Sequence, residues 1–429
     1  MLEKTSLDTG FLEWVGDRVV LEPSSNYESK NLPFQSWKPF KEAFAPEIVY
    51  RAIKETPRDV KNLCDPFGGS GTSALTSQFV GVIPTTMEVN PFLADLIEAK
   101  LTTYDVNVLI EDYSLISEML ERVVRGRPSE ITGCPPTFVE PGVKGRYIFS
   151  KDVAKNLARL LKVIGLCQSE NSKRLYRMLT ATVALEVSNI TISGKGRRYR
   201  KNWMSKMSPP EAVFERFHEK ASSAIYDICS HNDRACSKYK LIRGDSRKAK
   251  IQAESQDVVV FSPPYPNSFD YTDVYNVELW LLGHLTSAED NKALRKSTLR
   301  SHVQVKRNYS QTLGSSQTLK ASYALLDNDR KNLWSKDLPD MVLSYFEDMT
   351  KIMRKMSVSL KSKGRVYCVV GDSQYAGHPV PVADILTELS DEFDLKHLYS
   401  EKFRSMRASP QQGGRAELPE TMLVFEKTT

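Results

Sequence analysis

Apolar residues follow two different periods along this chain. Near residues 63–80 and 257–265, short apolar runs lead into loops rich in glycine or proline. Such a pattern predicts strands that end in tight loops, and the fully apolar run at 258–261 indicates a buried parallel sheet. From about 102 to 239, apolar residues instead recur at intervals of three and four, which predicts a mainly helical block.

The chain is longer than one compact core usually holds, at 429 residues. The two periods therefore predict three consecutive parts. We expect the N-terminal part of an α/β domain over 1–101, a helical insertion over 102–238, and the C-terminal part of the same α/β domain over 239–429.

The last part also carries two local predictions. Its apolar face over 346–360 predicts a helix that Gly364 ends, followed by a strand at 366–370. Segments 395–403 and 421–426 alternate as strands do, so we expect them to pair as an antiparallel edge.

Composition excludes several classes of protein. With 41% hydrophobic and 26% charged residues, the chain is neither disordered throughout nor collagenous. No apolar run approaches the roughly 18 residues that span a bilayer, and the start lacks a signal-peptide pattern. We therefore expect a soluble, cytoplasmic protein with no membrane partner. The net charge of +6 permits a polyanionic partner.

Cysteine and histidine spacing argues against metal binding. The six cysteines form no C-x-x-C pair, and the six histidines show no ligand spacing. We predict neither a disulfide framework nor a metal site.

A glycine-rich motif, Asp65-Pro-Phe-Gly-Gly-Ser-Gly-Thr72, follows one predicted strand. Its glycines let the backbone turn sharply and approach a ligand closely. Glu88 ends the next predicted strand, where a carboxylate in an α/β nucleotide site accepts hydrogen bonds from ribose hydroxyls. Because the chain has no G-x-x-x-x-G-K-[ST] sequence, the pattern favours a nucleoside-like ligand over a nucleotide phosphate.

A second motif, Ser262-Pro263-Pro264-Tyr265, follows the apolar strand at 258–261. Both motifs are therefore expected at the carboxyl edge of one sheet. The two prolines stiffen the loop, and their carbonyl oxygens, with the oxygen of Ser262, can accept hydrogen bonds from an amino group. Tyr265 offers a flat face for stacking on a base extruded from a duplex. The loop suits chemistry on an exocyclic amine.

Together the two motifs resemble those of the amino-directed DNA methyltransferases. Residues 65–72 with Glu88 are similar to the S-adenosylmethionine site of that family, and residues 262–265 are similar to its catalytic tetrapeptide, [DNS]-P-P-[YFW]. The serine form of the tetrapeptide looks like the cytosine-N4 branch. The resemblance does not extend to the helical insertion.

This resemblance implies a Rossmann-like methyltransferase fold: α/β, with a mixed, mainly parallel seven-stranded sheet and helices on both faces. It also implies S-adenosyl-L-methionine as cofactor, duplex DNA as substrate, methyl transfer to N4 of a flipped-out cytosine, and a restriction-modification system with a cognate endonuclease. The residues it assigns to the cofactor are Trp37, Phe40, Asp65, Pro66, Phe67, Gly68, Gly69, Ser70, Gly71, Thr72, Glu88, Asn90 and Asp245. Those it assigns to catalysis are Ser262, Pro263, Pro264 and Tyr265.

In this family, a long insertion between the two motifs recognises the target sequence, so residues 102–238 are a candidate target-recognition domain. Residues 194–203 hold five basic residues, Tyr199 and Trp203, and no acid, as in loops that contact phosphates and bases. A solvated basic turn is an equal alternative. The candidate DNA contacts are Lys195, Arg197, Arg198, Tyr199, Arg200 and Lys201. A second basic stretch, 292–307, is either a loop that closes on DNA or solvated surface.

Three alternatives to cytosine-N4 methylation stay open. The first is an adenine-N6 DNA methyltransferase, whose tetrapeptide more often begins with Asp or Asn. The second is an RNA amino-methyltransferase, which usually lacks so large an insertion. The third is a DNA-binding protein with a vestigial site, which would bind no S-adenosylmethionine.

Overall fold

The structure, a computed structural model, describes residues 6–40, 43–122, 130–193, 196–266, 270–310, 312–407 and 417–428. The helices are α1 (Ser6–Val15), α2 (Pro46–Glu55), α3 (Thr72–Phe79), α4 (Pro91–Leu101), α5 (Val106–Glu121), α6 (Lys151–Ile164), α7 (Glu170–Val187), α8 (Ala212–His231), α9 (Tyr271–Val274), α10 (Asn276–Leu281), α11 (Ala288–Ser297), α12 (Gln317–Asn328), α13 (Leu338–Ser359) and α14 (Val382–Glu388). The strands are β1 (Asn62–Asp65), β2 (Ile83–Glu88), β3 (Ile190–Ser193), β4 (Gly196–Tyr199), β5 (Lys240–Arg243), β6 (Gln256–Phe261), β7 (Leu360–Gly371), β8 (Ser373–Tyr375), β9 (His378–Val380), β10 (Leu395–Arg407) and β11 (Glu417–Lys427).

Seven strands form the central sheet, in the order β10-β11-β7-β6-β1-β2-β5. The pairs from β7 to β5 are all parallel, whereas β11 runs antiparallel to both β7 and β10. This mixed, mainly parallel seven-stranded sheet confirms the predicted Rossmann-like fold. It also confirms the predicted antiparallel edge formed by the last two long strands.

Side chains alternate between two hydrophobic clusters on opposite faces of the sheet. On β6, Val258 and Val260 join the cluster that contains α1 to α8, whereas Val259 and Phe261 join the cluster that contains α12 to α14. This period of two is the geometry of an extended strand, and it explains why the whole run is apolar. Helices therefore cover both faces.

The parallel strands bring the two sequence motifs to one edge. β1 ends at Asp65, β2 ends at Glu88, and β6 ends at Phe261, directly before the Ser-Pro-Pro-Tyr tetrapeptide. In the β1–β2 ladder, Asp65 lies opposite Thr86. Because parallel strands share one carboxyl edge, the loops that follow them meet there.

The predicted end of the long C-terminal helix was wrong. α13 ends at Ser359, and Gly364 lies inside β7 rather than at a helix terminus. A Cβ at Gly364 would stand 2.8 Å from Cδ2 of Leu360 and from the carbonyl oxygen of Lys361 in the same strand, and 3.0 Å from the carbonyl oxygen of Asp257 in β6. Glycine is needed here because both strands crowd the position, beside a register shift in the β6–β7 pairing.

Residues 102–238 contain helices α5 to α8 and the β3–β4 hairpin. These helices contribute to the same hydrophobic cluster as α3, α4 and one face of the sheet. The phenol of Tyr176 in α7 donates to the carbonyl of Leu109 in α5, at 2.8 Å. The insertion therefore packs directly on the sheet domain. None of the helices in the described ranges has the length and apolarity to cross a membrane.

Candidate active site

A cavity of about 340 Å³ lies at the carboxyl edge of the sheet. Residues of both motifs line it, so the fold joins two segments that lie far apart along the chain. The predicted site residues in its lining are Phe40, Pro66, Phe67, Gly69, Glu88, Asn90, Asp245, Ser262, Pro263, Pro264 and Tyr265. We call Gly69, Glu88 and Asn90 the glycine-loop wall. We call Ser262, Tyr265, Arg404 and Glu420 the tetrapeptide wall.

The glycine loop is tightly constrained. The amide of Gly68 donates to the carbonyl of Met87 at 2.8 Å, and a Cβ at Gly68 would stand 2.5 Å from Oγ1 of Thr86. Gly69 and Gly71 have positive φ angles of 53° and 82°, a conformation that favours glycine. The loop therefore presents backbone, with little side-chain bulk, to the cavity.

Two acidic residues hold this loop. The carboxylate of Asp65 accepts from the amide of Phe67 at 2.8 Å, behind the cavity lining. The carboxylate of Glu88 accepts from the amides of Gly69, at 2.8 Å, and Asn90, at 2.7 Å. Burial raises the pKa of Asp65 to about 6 and that of Glu88 to about 7. Within the described ranges, neither carboxylate forms an ion pair.

A buried lysine that the sequence analysis missed lies beneath the loop. Nζ of Lys100 donates to the carbonyl of Ser70 at 2.8 Å and to Oε1 of Gln35 at 3.0 Å, and Gln35 in turn donates to Thr72. Burial lowers the pKa of Lys100 to about 7. Ser70 and Thr72 are thus tied into the support of the loop, outside the cavity lining. The only sequence signal is a lysine between Ala99 and Leu101 on a helix that is otherwise apolar there.

Trp37 and Phe40 have different surroundings. Nε1 of Trp37 donates to Oδ2 of Asp227 in α8 at 2.8 Å, and the same oxygen accepts from the amide of Phe34. Trp37 therefore anchors the N-terminal segment to the insertion and lies outside the cavity lining. Phe40 does line the cavity, and its ring would contact a Cβ at Gly69 at 3.3 Å.

Asp245 lines the cavity but is already paired. Its carboxylate accepts from Nε and Nη2 of Arg247, both at 2.9 Å. Arg247 also donates to Asp348 at 2.6 Å. Asp245 therefore brings no uncompensated charge to the cavity.

The tetrapeptide is connected to the far edge of the sheet. Oγ of Ser262 lies 3.2 Å from the phenol oxygen of Tyr265, and that phenol donates to Oε1 of Glu420 at 2.7 Å. The other oxygen of Glu420 accepts from Nε of Arg404 at 2.6 Å. Burial and the nearby carboxylate raise the pKa of Tyr265 well above its usual value. Neither Glu420 nor Arg404 carries a local sequence signal, because both belong to the distant β10–β11 pair.

The second basic stretch, 292–307, forms part of the cavity wall. Its arginines are paired inside the protein: Arg295 with Asp270 at 2.5 Å, and Arg300 with Asp348 at 2.6 Å. The lining residues from this stretch are Ser297, Thr298, Leu299, Ser301 and His302. The lysines of the stretch, Lys292, Lys296 and Lys306, are exposed, so the stretch combines a cavity wall with a solvated basic face, and its contact with DNA stays a prediction. Burial lowers the pKa of His302 to about 4, so its imidazole is neutral.

The basic segment of the insertion forms the β3–β4 hairpin and the turn that follows it. Arg197 is half-buried, whereas Arg198 and Lys201 are exposed. Tyr199 packs against Trp203, with ring centroids 5.8 Å apart. Lys195 lies outside the described residues.

Arg200 differs from the other basic residues of this segment. Its guanidinium donates to the carbonyls of Leu185 and Glu186 at the end of α7, and to that of Ile190. Those contacts satisfy the last carbonyls of a helix. Arg200 therefore has a structural position in the hairpin, and we remove it from the candidate DNA contacts.

The hairpin lies next to the cavity. A Cβ at Gly196 would stand 4.0 Å from Oδ2 of Asp273 in α9. Tyr271 and Thr272, which open the same short helix, line the cavity. The preceding residues 267–269 lie outside the described ranges.

Known proteins resemble the chain over most of its length. It is 24% identical over 460 residues to the Type II methyltransferase M.BsoBI of Geobacillus stearothermophilus, covering 93% of this chain and 86% of that protein. It is also 24% identical over 440 residues to the Type II methyltransferase M.AvaI of a Nostoc species, covering 93% of this chain and 87% of that protein. The chain is thus similar to two Type II methyltransferases over nearly its whole length. No family model matches the sequence.

Solved structures give weaker likenesses. A SAM-dependent methyltransferase from Methanosarcina mazei has a TM-score of 0.29 and 7% identity, covering 87% of this chain and 96% of that chain. The rRNA methyltransferase aviRa from Streptomyces viridochromogenes has a TM-score of 0.30 and 10% identity, covering 99% of this chain and 94% of that chain. The strand order of the sheet, rather than these likenesses, establishes the fold.

The homologues and the fold imply S-adenosyl-L-methionine as the cofactor. The glycine-loop wall fits this group in two respects. The side-chain-free backbone at Gly69 leaves room for a nucleoside, and the unpaired carboxylate of Glu88 suits ribose hydroxyls and a cationic ligand. In addition, the buried Nδ2 of Asn90 has no hydrogen-bond partner in the described part of the chain, which leaves one donor for a ligand.

Proposed function

We propose that this protein is a site-specific DNA methyltransferase that modifies the N4 amine of a cytosine flipped out of duplex DNA. The observation that carries the proposal is one cavity lined by both Glu88 of the glycine-loop wall and Ser262 of the tetrapeptide wall. The similarity to two Type II methyltransferases over 93% of the chain supports it.

Residues of the glycine-loop wall would hold the cofactor. Glu88 is placed to accept hydrogen bonds from ribose hydroxyls, and Phe40 offers an apolar face beside Gly69. Asp245 lies further along the same edge, where we propose that it contacts the adenine. When bound, S-adenosyl-L-methionine supplies an electrophilic methyl group on a positively charged sulfur. The uncompensated carboxylate of Glu88 favours a ligand of that charge.

Residues of the tetrapeptide would prepare the base. The amine of cytosine is a poor nucleophile because its lone pair is delocalised into the ring. Acceptors that bind its hydrogens favour the pyramidal, reactive form, and Oγ of Ser262 and the carbonyl of Pro263 are the candidates. Tyr265 would stack on the flipped base. The amine nitrogen would form its bond to the methyl carbon as the carbon–sulfur bond breaks, with a neutral thioether as the leaving group and one amine proton lost to solvent. The protein would accelerate this transfer chiefly by orientation and proximity.

The hydroxyl of Ser262 supports cytosine over adenine. Adenine-N6 enzymes more often have Asp or Asn at this position of the tetrapeptide, whereas the serine form is commonest in the cytosine-N4 branch. We propose a role in a restriction-modification system with a cognate endonuclease, on the basis of the Type II relatives.

The insertion, residues 102–238, is the proposed target-recognition region. Its β3–β4 hairpin lies beside α9, and on this basis we propose that the exposed Arg198 and Lys201 contact the duplex when one base enters the cavity. Arg197 and Tyr199 are the neighbouring candidates. Cationic side chains here would neutralise phosphates and position the duplex.

Sequencing that reports modified bases tests the proposal. DNA from a methylation-free host that expresses the protein should carry N4-methylcytosine at one short sequence, and a host expressing Ser262→Ala should carry none. Detection of N6-methyladenine instead would identify adenine as the target base. Methylation found only in RNA would identify RNA as the substrate. Absence of any methylated nucleic acid, with intact protein in the cell, would contradict the proposal.

A further inference from the structure

Four side chains form a continuous hydrogen-bonded series that ends at the catalytic loop. From the outside inward they are Arg404, Glu420, Tyr265 and Ser262, with contacts of 2.6, 2.7 and 3.2 Å. All four line the cavity. Glu420 lies on β11, opposite Arg404 of β10, and its exposed fraction is only 3%.

The chemistry of these groups sets the direction of each hydrogen bond. An ionised carboxylate can only accept, and Arg404 can only donate. The phenol of Tyr265 must therefore donate its proton to Glu420. Its oxygen is then left as the acceptor for the hydroxyl of Ser262, whose own lone pairs face away from Tyr265.

This direction matters for the proposed chemistry. A serine hydroxyl that is free to rotate can donate to the amine nitrogen and engage the lone pair that must attack the methyl group. A hydroxyl whose proton is bound by Tyr265 offers only lone pairs to the amine. We propose that Glu420 is a positioning residue that acts through Tyr265 to make Ser262 an acceptor toward the target amine. The inference rests on the proposed function and adds to it a residue from the far edge of the sheet.

A purely structural role for Glu420 is the competing explanation. The same strand carries a second ion pair, Glu426 with Arg365 at 3.0 Å, which joins β11 to β7 away from the cavity. Glu426→Gln is therefore a matched control, because it removes a carboxylate from the same strand and leaves the tetrapeptide untouched.

The Glu420→Gln variant tests the inference because it should reverse the direction of the hydrogen bonds from residue 420 to Ser262. The carbonyl of the new amide would turn toward Arg404, so its NH₂ would face Tyr265 and donate to the phenol. Tyr265 would then donate to Ser262, and the serine proton would point toward the base. We expect kcat to fall by about 10- to 100-fold, because the serine proton would then engage the lone pair of the amine, with cofactor affinity unchanged.

The Tyr265→Phe variant tests whether Glu420 acts on Ser262 through the phenol of Tyr265. Phenylalanine keeps the stacking face and breaks the link between Glu420 and Ser262. In the Tyr265→Phe background, Glu420→Gln should then cause no further loss of kcat. A structural role would instead lower kcat in both backgrounds by the same factor.

The experiment measures methyl transfer to duplex DNA and cofactor binding by calorimetry for the wild type, both single variants, the double variant and Glu426→Gln. Wild-type kcat for Glu420→Gln, or losses that multiply in the double variant, would overturn this inference while leaving the proposed function intact. A fall in cofactor affinity that explains the whole loss would also overturn it. Absence of transfer by the wild type would contradict the proposed function itself, and the inference with it.

Discussion

The two walls of the cavity use a buried glutamate in opposite ways. On the glycine-loop wall, Glu88 accepts from two backbone amides and, among the described residues, has no cationic partner, so burial raises its pKa to about 7. On the tetrapeptide wall, Glu420 is paired with Arg404 at 2.6 Å. The negative charge of Glu88 can be compensated by a positively charged ligand, whereas the negative charge of Glu420 is already compensated by Arg404.

This difference matches the two proposed ligands. S-adenosyl-L-methionine carries a positive sulfonium, which a lone carboxylate attracts. A cytosine is neutral, so its wall needs hydrogen bonds of fixed direction more than charge.

The largest effect is expected from Ser262→Ala on the tetrapeptide wall. Loss of the hydroxyl should lower kcat by about 100-fold or more, because it removes a preorganised group at the reacting amine. The affinity for S-adenosyl-L-methionine should stay within about twofold of wild type. Methyl transfer and calorimetry on the same preparations check both values. Ser255→Ala, at a half-buried serine before β6 that lies outside the cavity lining, is the control and should retain full activity. A parallel loss of cofactor affinity would show that the two walls are not separate.

Glu88→Gln should give the opposite result on the glycine-loop wall. We expect cofactor affinity to fall by about 10- to 100-fold, the value of one hydrogen bond to a charged group, with kcat recovered at saturating cofactor. Calorimetric titration measures the affinity. Glu140→Gln, at an exposed glutamate paired with Lys151, should bind as wild type does. If Glu88→Gln lowered kcat and left the cofactor affinity unchanged, Glu88 would contact the target base rather than the cofactor.

Cofactor affinity should also depend on pH through Glu88. Its pKa is raised to about 7, so the carboxylate is ionised above that pH and takes up a proton as the pH falls through it. A cationic ligand prefers the ionised form, and the affinity should therefore fall by up to about tenfold between about pH 8 and about pH 6. In Glu88→Gln this dependence should become shallower, with Lys100 and Asp65 as the remaining groups of the loop that titrate near this range, whereas Glu420→Gln should retain it in full. A stronger affinity at the lower pH would contradict the sign of the effect.

The smallest effect is expected at the β3–β4 hairpin. Arg198→Ala should weaken duplex binding by about 3- to 10-fold and reduce the salt dependence of binding by about one phosphate contact, without changing cofactor affinity. Fluorescence anisotropy at several salt concentrations measures both. Lys61→Ala, at the amino edge of β1 and thus away from the cavity, is the matched control. Equal losses for the two variants would indicate unspecific charge attraction.

The sequence predicted those parts of the site where local chemistry fixes the backbone. Glycines in 65–72 and prolines in 262–265 determine loop shape within a few residues, and the strands before them carry a clear apolar pattern. Parallel strands then dictate that the two loops share an edge, and the structure brings both to one cavity.

Residues that act through distant partners could not be found in this way. Glu420 contacts Tyr265 across 155 positions, and Trp37 binds Asp227 across 190. No pattern of apolar spacing records either contact. Gly364 was misplaced for a related reason: its need for a small side chain comes from close contacts within β7 and with β6 rather than from a helix end.

We propose that one cavity holds the methyl donor and the flipped base on facing walls. A crystal structure of the protein with duplex DNA and a non-reactive analogue of S-adenosyl-L-methionine tests it most directly. We predict that the ribose of the analogue contacts Glu88 and that a cytosine lies outside the helix, with its amine at Ser262 and its ring against Tyr265. An analogue bound away from the glycine loop, or a target base that remains stacked in the duplex, would contradict the claim.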